Sequence, residues 1–137
     1  MKTIPISILI ILTIALAACS GGEPEIIGTT WQWQAFQDTA GLNDINVSNP
    51  ENYTLTLNED GTASIKADCN QVIWAYELDE SQLSFDTMGP STLAMCPEGS
   101  LDQLFLERLG NTVTFVIEDG KLFLNLFADS GNMVFRP

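Results

Sequence analysis

The sequence predicts an α+β domain that is mostly β, with one curled, barrel-like antiparallel sheet and a single amphipathic helix. From Ile26 onward apolar and polar residues alternate with a period of two, which is typical of strands. Turn residues separate these short runs, as expected for an antiparallel meander. About eight strands and one helix in a chain of this length bury their apolar faces best when the sheet curls toward a barrel.

The first predicted strand, TWQWQAF, places Trp31, Trp33 and Ala35 on one face. YTLTL and TASIKA lie on either side of Asp60-Gly61, a dipeptide that favours a tight hairpin, so these two runs are expected to pair antiparallel. QVIWAY and QLSF follow, separated by the polar turn ELDES. The residues predicted to face inward in these four runs are Tyr53, Leu55, Leu57, Ala63, Ile65, Ala67, Val72, Trp74, Tyr76, Leu83 and Phe85.

One segment, SLDQLFLERL, has helical spacing instead. Ser100 as the N-cap with Gln103 three residues later matches a capping box, and Gly110 is suited to end the helix. The apolar stripe that packs on the sheet consists of Leu101, Leu104, Phe105 and Leu109. The remaining runs, VTFVI, LFLNLF and MVF, repeat the hairpin pattern with turns at Asp119-Gly120 and DSG.

Residues 1–18 have the layout of a secretory signal, because Lys2 precedes an apolar run that stops at small residues. The run is shorter than the roughly 20 apolar residues of a membrane-spanning helix, although an uncleaved anchor helix is the alternative. Leu16, Ala17, Ala18 and Cys19 resemble the lipobox of bacterial lipoproteins. The resemblance implies a lipid on Cys19, residues 19–25 as a flexible tether, and a domain held at the cell membrane or outer membrane, facing the periplasm or the exterior.

Cys69 and Cys96 remain as a pair once lipid takes Cys19. In an oxidising compartment an even number of remaining thiols favours a disulfide between them. Such a bridge closes a loop of about 28 residues and contributes roughly 3 to 4 kcal/mol in the chain-entropy model. Two buried free cysteines are the alternative.

The charge excludes one class of partner. The formal net charge is −13, and only five lysines and arginines oppose 18 carboxylates. Because no basic stripe is available to neutralise phosphates, nucleic-acid binding is not expected. Anionic headgroups would also repel the domain, so attachment to the membrane must come from lipid.

Few residues suggest chemistry. The chain has no histidine, which removes the commonest general base and metal ligand, and no catalytic residue, metal site or cofactor is predicted. Asp68, Asn70 and Glu98 flank the paired cysteines, so a disulfide would gather them into a polar cluster able to bind a small cation or a peptide. The alternative is that Asn70 satisfies backbone groups in a turn or bulge. The tryptophans Trp31, Trp33 and Trp74 either fill the core, the favoured reading, or line a cavity.

Four stretches resemble the META domain, also called the HslJ-like family: IIGTTWQW, LTLNEDGTASIKADCNQV, GPSTLAMCPEGSLDQLFLERL and MVFRP. The domain is therefore predicted over residues 26–137. The resemblance implies a small, mostly β, export-associated domain, often lipid-anchored, linked to stress response and antibiotic tolerance, with no established catalytic activity. Asp68 stands where many members carry glycine, and Met95 where alanine is common.

These observations predict a lipid-anchored, monomeric envelope protein that is not an enzyme and that binds an envelope protein partner in a stress-related role. The alternative is a carrier or sensor of a small apolar ligand held inside the curled sheet.

Overall fold

The computed structural model describes residue 22 and residues 24–137. The predicted signal peptide and the lipid site at Cys19 lie outside the described residues. The described elements are β1 Thr30–Asp38, β2 Ile45–Asn46, β3 Tyr53–Leu57, β4 Thr62–Ala67, β5 Asn70–Asp79, β6 Gln82–Asp86, α1 Asp102–Gly110, β7 Thr112–Glu118, β8 Lys121–Leu126 and β9 Gly131–Arg136. In this part of the chain, no helix has the length and apolar character needed to cross a bilayer.

Eight strands close into an antiparallel barrel, which confirms the predicted curled sheet. They pair in the order β1, β3, β4, β5, β6, β7, β8, β9, and β9 returns to pair with β1. β2 is a short addition that pairs with β1 beyond the end of β3, where Ala35 faces Asn46. The shortest pairing is between β6 and β7, which align at Gln82 and Thr114.

The predicted alternation is confirmed along β3 and β4, where every second side chain is buried from Tyr53 to Leu57 and from Ala63 to Ala67. In β1 the prediction is wrong at one position. A register shift between Trp33 and Ala35 in the pairing with β9 turns Phe36, instead of Ala35, into the core, where Phe36 is 1% exposed. One extra residue at a bulge reverses the faces that follow it, so a strict period of two fails there.

The helix α1 closes one end of the barrel. The Phe105 ring stacks on Trp33 with 5.1 Å between ring centroids and meets Tyr53 edge-on at 5.6 Å. Phe135 of β9 lies 6.3 Å from the same ring, so Phe105 packs on the three neighbouring strands β9, β1 and β3. At the other end of α1 the Arg108 guanidinium lies 4.4 Å above the Phe36 ring.

The start of the helix differs from the prediction. Leu101 occupies the N-cap and its side chain makes no cap bond, so the predicted capping box, with Ser100 as the N-cap, is wrong. The barrel supplies the missing acceptor, since the Leu101 amide donates to the Tyr53 hydroxyl at 2.9 Å. The Ser100 hydroxyl accepts from the Asp102 amide at 3.2 Å. Because a distant tyrosine satisfies one of the helix's free amides, local spacing alone misplaces the cap.

Candidate functional site

The most unusual surface of the described chain is a segment between β6 and α1, residues 88–96, which we name the clamped loop. It continues the direction of β6 and lies along the first half of β5. The Ile73 amide donates to the Pro90 carbonyl at 2.9 Å, and the Thr92 amide donates to the Gln71 carbonyl at 2.9 Å. An isolated antiparallel bridge between Val72 and Ser91 lies between these bonds. The loop therefore acts as an extra strand partner for β5.

Gly89 is the residue that allows this close approach. A Cβ atom added there would lie 1.9 Å from the Ile73 carbonyl oxygen. Any other residue would collide with the β5 backbone, which cannot move without breaking the pairing with β4. The sequence places glycine where the loop first meets β5.

Asn70 fixes the middle of the clamped loop. Its side chain is 6% exposed, and its Oδ1 accepts from the Ala94 amide at 2.8 Å and from the Thr92 hydroxyl at 3.0 Å. Its Nδ2 donates to the Ala94 carbonyl at 3.0 Å. One amide side chain thus binds both the N–H and the C=O of Ala94, as a neighbouring strand would.

A disulfide between Cys69 and Cys96 fixes the end of the loop, with the two Cα atoms 5.4 Å apart. The predicted pairing is confirmed. Cys69 lies in the turn between β4 and β5, and Cys96 ends the clamped loop, so the bridge ties the loop to the barrel rim. The Asn70 Nδ2 lies 3.4 Å from the Cys96 sulfur, so the polar clamp formed by Asn70 lies directly beside the covalent clamp formed by the disulfide.

The side chains of the clamped loop point outward although its backbone is fixed. Met88 is 89% exposed, Leu93 is 92% exposed and Met95 is 99% exposed. Large apolar side chains this exposed, gathered on one short segment, are typical of surfaces that contact another molecule. Between the loop and α1 lies a groove of about 350 Å³, whose lining includes Val72, Leu93, Met95 and Leu106.

Asn70 stands at the centre of the predicted polar cluster, but the two acids do not bond to it. Among the described residues its acidic neighbour is Asp102, whose Oδ2 lies 3.4 Å from Nδ2. Asp68 lies in the β4–β5 turn with a φ of 56°, and its amide donates to the Asn52 carbonyl at 2.7 Å. Glu98 is exposed in the turn after Cys96. Asp102 is not among the predicted site residues, although its place in the first helical turn, six residues after Cys96, was the available signal.

The described residues contain no group of three or more cysteine, aspartate or glutamate side chains placed to hold a metal ion. Binding of a small cation or a peptide by Asp68, Asn70 and Glu98 stays a prediction.

Three ionisable groups elsewhere have shifted pKa values. Hydrogen bonds from the Ala40 amide and the Asn43 side chain hold the pKa of Asp38 below its usual range. The hydroxyl and the amide of Thr62 do the same for the pKa of Asp60. Burial, with the nearby Asp60 carboxylate, raises the pKa of Tyr76. Each shift follows from turn geometry or burial.

The barrel interior is filled by the protein's own side chains. Trp31, Trp33, Phe105 and Phe135 are all 0% exposed, and Trp74 is 6% exposed. Trp33 and Phe105 stack directly on one another. These aromatic residues therefore act as core.

Comparisons with known proteins agree with the fold. The chain matches the NMR structure of a protein from Burkholderia xenovorans with a TM-score of 0.63 and 24% identity, covering 81% of this chain and 82% of that one. It also matches the crystal structure of a DUF4847 family protein from Bacteroides vulgatus with a TM-score of 0.60 and 14% identity, covering 81% of this chain and 93% of that one. At these identities the likeness shows the fold alone.

No curated protein matches the chain. A family comparison, however, matches residues 24–137 to the META domain. The match spans the whole barrel, the clamped loop and the helix. The chain belongs to the META domain family.

Proposed function

We propose that this protein is a non-enzymatic binding module of the cell envelope, held by lipid on Cys19, and that the clamped loop is the surface that meets a protein partner. The observation that carries the proposal is the exposure of Met88, Leu93 and Met95 on a backbone fixed at both ends. The protein acts as a monomer, and the stress-related role that the family implies stays a prediction.

The energetics support a binding role for this loop. Exposed apolar side chains gain free energy when a partner removes them from water, about 25 cal/mol per Å² of apolar area. A loop already held by Asn70 and the disulfide loses little conformational entropy on binding, so more of that gain remains as affinity. Methionine side chains adapt their shape to a partner, which suits Met88 and Met95 to this role.

The position of the chain entry supports a partner away from the anchoring membrane. The chain enters the barrel beside the last residue of β3, where the Gly28 amide donates to the Leu57 carbonyl at 2.8 Å. β3 and β4 form a hairpin, and the disulfide lies beyond its other end, where Tyr53 pairs with Ala67. These two ends of β3 are about 13 Å apart along the strand. A lipid on Cys19 would hold the entry end nearer the membrane and present the disulfide end of the clamped loop, with Leu93 and Met95, farther from it.

Site-specific photocrosslinking in intact cells tests the proposal. A photoreactive amino acid at position 95 is expected to trap one discrete envelope protein, whereas the same group at Leu42, which is 82% exposed outside the loop, is expected to trap none. Replacing Cys69 and Cys96 with serine should reduce the yield at position 95. Equal yields at positions 95 and 42, or no protein adduct at position 95, would contradict the proposed surface.

A separate measurement tests the anchor. Intact-mass analysis of protein purified from its own cells is expected to find residue 19 acylated at the new amino terminus. Cys19→Ser is expected to abolish this modification and to release the protein from membranes. An unmodified Cys19 preceded by residues 1–18 would instead support an uncleaved anchor helix.

A further inference from the structure

The stretch of chain that carries the clamped loop, residues 67–107, has a strong excess of acidic residues. Between Lys66 and Arg108 the chain has eight carboxylates and no basic residue. This stretch forms β5, β6, the clamped loop and most of α1. A surface with one sign of charge attracts partners of the opposite sign and repels those of the same sign.

The groove between the clamped loop and α1 joins this charge to apolar surface. Its lining includes Val72, Leu93, Met95 and Leu106, together with Asn70 and Asp102. Its volume of about 350 Å³ is near the lower end of the roughly 300–1,000 Å³ of small-molecule pockets, so it suits one or two apolar side chains. Asp68 and Glu98 lie beside the disulfide at the same end of the barrel.

We infer that this groove binds a cationic amphipathic polypeptide segment, in which an apolar side chain enters between Leu93 and Leu106 while flanking lysines or arginines meet the acidic groups. The inference rests on the proposed binding role of the clamped loop and names the chemistry of its partner. Asp102 lies in the groove itself, and Asp68 and Glu98 extend the negative charge along the disulfide rim.

Charge decides between this occupant and a lipid surface. An anionic bilayer would be repelled by the eight carboxylates of residues 67–107, which have no basic residue among them. A neutral apolar partner would make no favourable electrostatic interaction with these carboxylates, whereas a basic segment is attracted to them. The attraction weakens as salt rises, because the acidic side chains at the rim are exposed to solvent.

The test uses the full chain, purified from its own cells and held by its lipid in phosphatidylcholine nanodiscs. The probes are labelled synthetic peptides of lysine and leucine, of glutamate and leucine, and of lysine and serine, with empty nanodiscs as the reference. The lysine–leucine peptide is expected to bind about tenfold or more tightly than either of the others, with a Kd that rises with ionic strength. Binding no greater than that to empty nanodiscs counts as no binding.

Two variants should weaken binding while leaving the melting temperature unchanged. Leu93→Ser combined with Met95→Ser is expected to raise the Kd about tenfold or more, since both side chains lose apolar contact. Asp68→Asn combined with Glu98→Gln is expected to raise it about threefold and to flatten its dependence on salt. Asparagine tolerates the positive φ of position 68, so the turn is kept.

Matched controls remove the same kinds of side chain, apolar or acidic, at positions outside the groove. Leu42→Ser with Phe127→Ser removes two exposed apolar side chains, and Glu59→Gln with Glu118→Gln removes two exposed charges; both are expected to leave the Kd unchanged. Equal binding of the glutamate–leucine peptide, or equal weakening by the controls, would overturn the inference.

The proposed binding surface and the cationic partner are distinguished by different results. Absence of peptide binding while position 95 still crosslinks to a protein in cells would overturn the cationic partner and leave the proposed function standing. Absence of both peptide binding and crosslinking would overturn both. Binding of the Cys19→Ser protein to phosphatidylglycerol vesicles would identify a lipid surface and overturn the inference as well.

Discussion

The β3–β4 hairpin and the clamped loop each lie against a neighbouring strand, but different forces hold them there. β3 and β4 pair over five aligned positions, and their inward side chains, such as Leu55 and Ile65, are buried in the core. The clamped loop is held by backbone bonds to β5, one asparagine and one disulfide, and its large side chains face solvent. Core burial therefore fixes the hairpin, whereas polar and covalent clamps fix the loop and leave its apolar groups free to bind.

The largest expected effect contrasts a core side chain with a loop side chain. Phe105→Ala should lower the free energy of unfolding by about 3–5 kcal/mol, because it removes the ring that packs against Trp33 and Tyr53. Leu93→Ala, in the clamped loop, should change it by no more than about 0.5 kcal/mol. Denaturant unfolding of the full chain measures both. A comparable loss from Leu93→Ala would mean that the loop side chain belongs to the core.

Breaking the covalent clamp comes next. Cys69→Ser with Cys96→Ser should lower the free energy of unfolding by about 3–4 kcal/mol, since the unfolded chain regains the entropy that the bridge removed. Limited proteolysis should then cut within residues 88–96 first, while the β3–β4 hairpin stays protected. Unchanged proteolysis of the loop would show that Asn70 and the backbone bonds hold it unaided.

The polar clamp can be weakened without removing the disulfide. Asn70→Asp keeps the shape of the side chain but loses the donor to the Ala94 carbonyl and brings a second carboxylate near Asp102. We expect a loss of about 1–3 kcal/mol, because a buried polar group is left unsatisfied. Gln71→Glu, on the exposed side of the same strand, is the control and should change the stability by less than about 0.5 kcal/mol. Equal losses from the two variants would show that the hydrogen bonds of Asn70 do not hold the clamped loop.

Gly89→Ala tests the close contact between the clamped loop and β5 by adding a single carbon atom. The added Cβ would lie 1.9 Å from the Ile73 carbonyl, so the loop should separate from β5 at a cost of about 1–3 kcal/mol. Gly22→Ala meets no atom within 4 Å and is the matched control. Amide exchange of Ile73 measures the separation directly. Unchanged protection of that amide would contradict the close approach.

The smallest expected effect is on acid stability and lies outside the clamped loop. The pKa values of Asp38 and Asp60 are lowered in the folded state, so their ionised forms stabilise the fold. That contribution is complete above the ordinary value of 3.8 and is lost as the pH falls through the lowered pKa. Asp60→Asn should flatten the fall in melting temperature below about pH 4. An acid profile of the Asp60→Asn variant identical to that of the unsubstituted protein would contradict the turn hydrogen bonds as the cause.

The same contrast explains what could be predicted from the sequence. Alternation locates β3, β4 and the inward side chains because burial imposes a period of two. The helix is predicted from its spacing and the disulfide from cysteine parity, and the structure contains both. Each of these features has a local or countable signal.

The features that the sequence did not predict depend on long-range contacts. The bulge after Trp33 becomes visible only in the pairing with β9, and the Tyr53 hydroxyl that receives the Leu101 amide is 48 residues away. The clamped loop shows no alternation of inward apolar residues, because the Asn70 side chain on β5 binds its backbone in place of a neighbouring strand. Asp102 enters the site only when the helix docks.

The central claim is that residues 88–96 form a rigid surface before any partner binds, and hydrogen exchange of the Thr92 and Ala94 amides in the oxidised full chain tests it most directly. Both amides are hydrogen bonded, to the Gln71 carbonyl and the Asn70 side chain. We predict protection similar to that of amides in the β4–β5 pairing. Exchange as fast as that of the exposed turn at residues 41–43 would contradict a preformed surface.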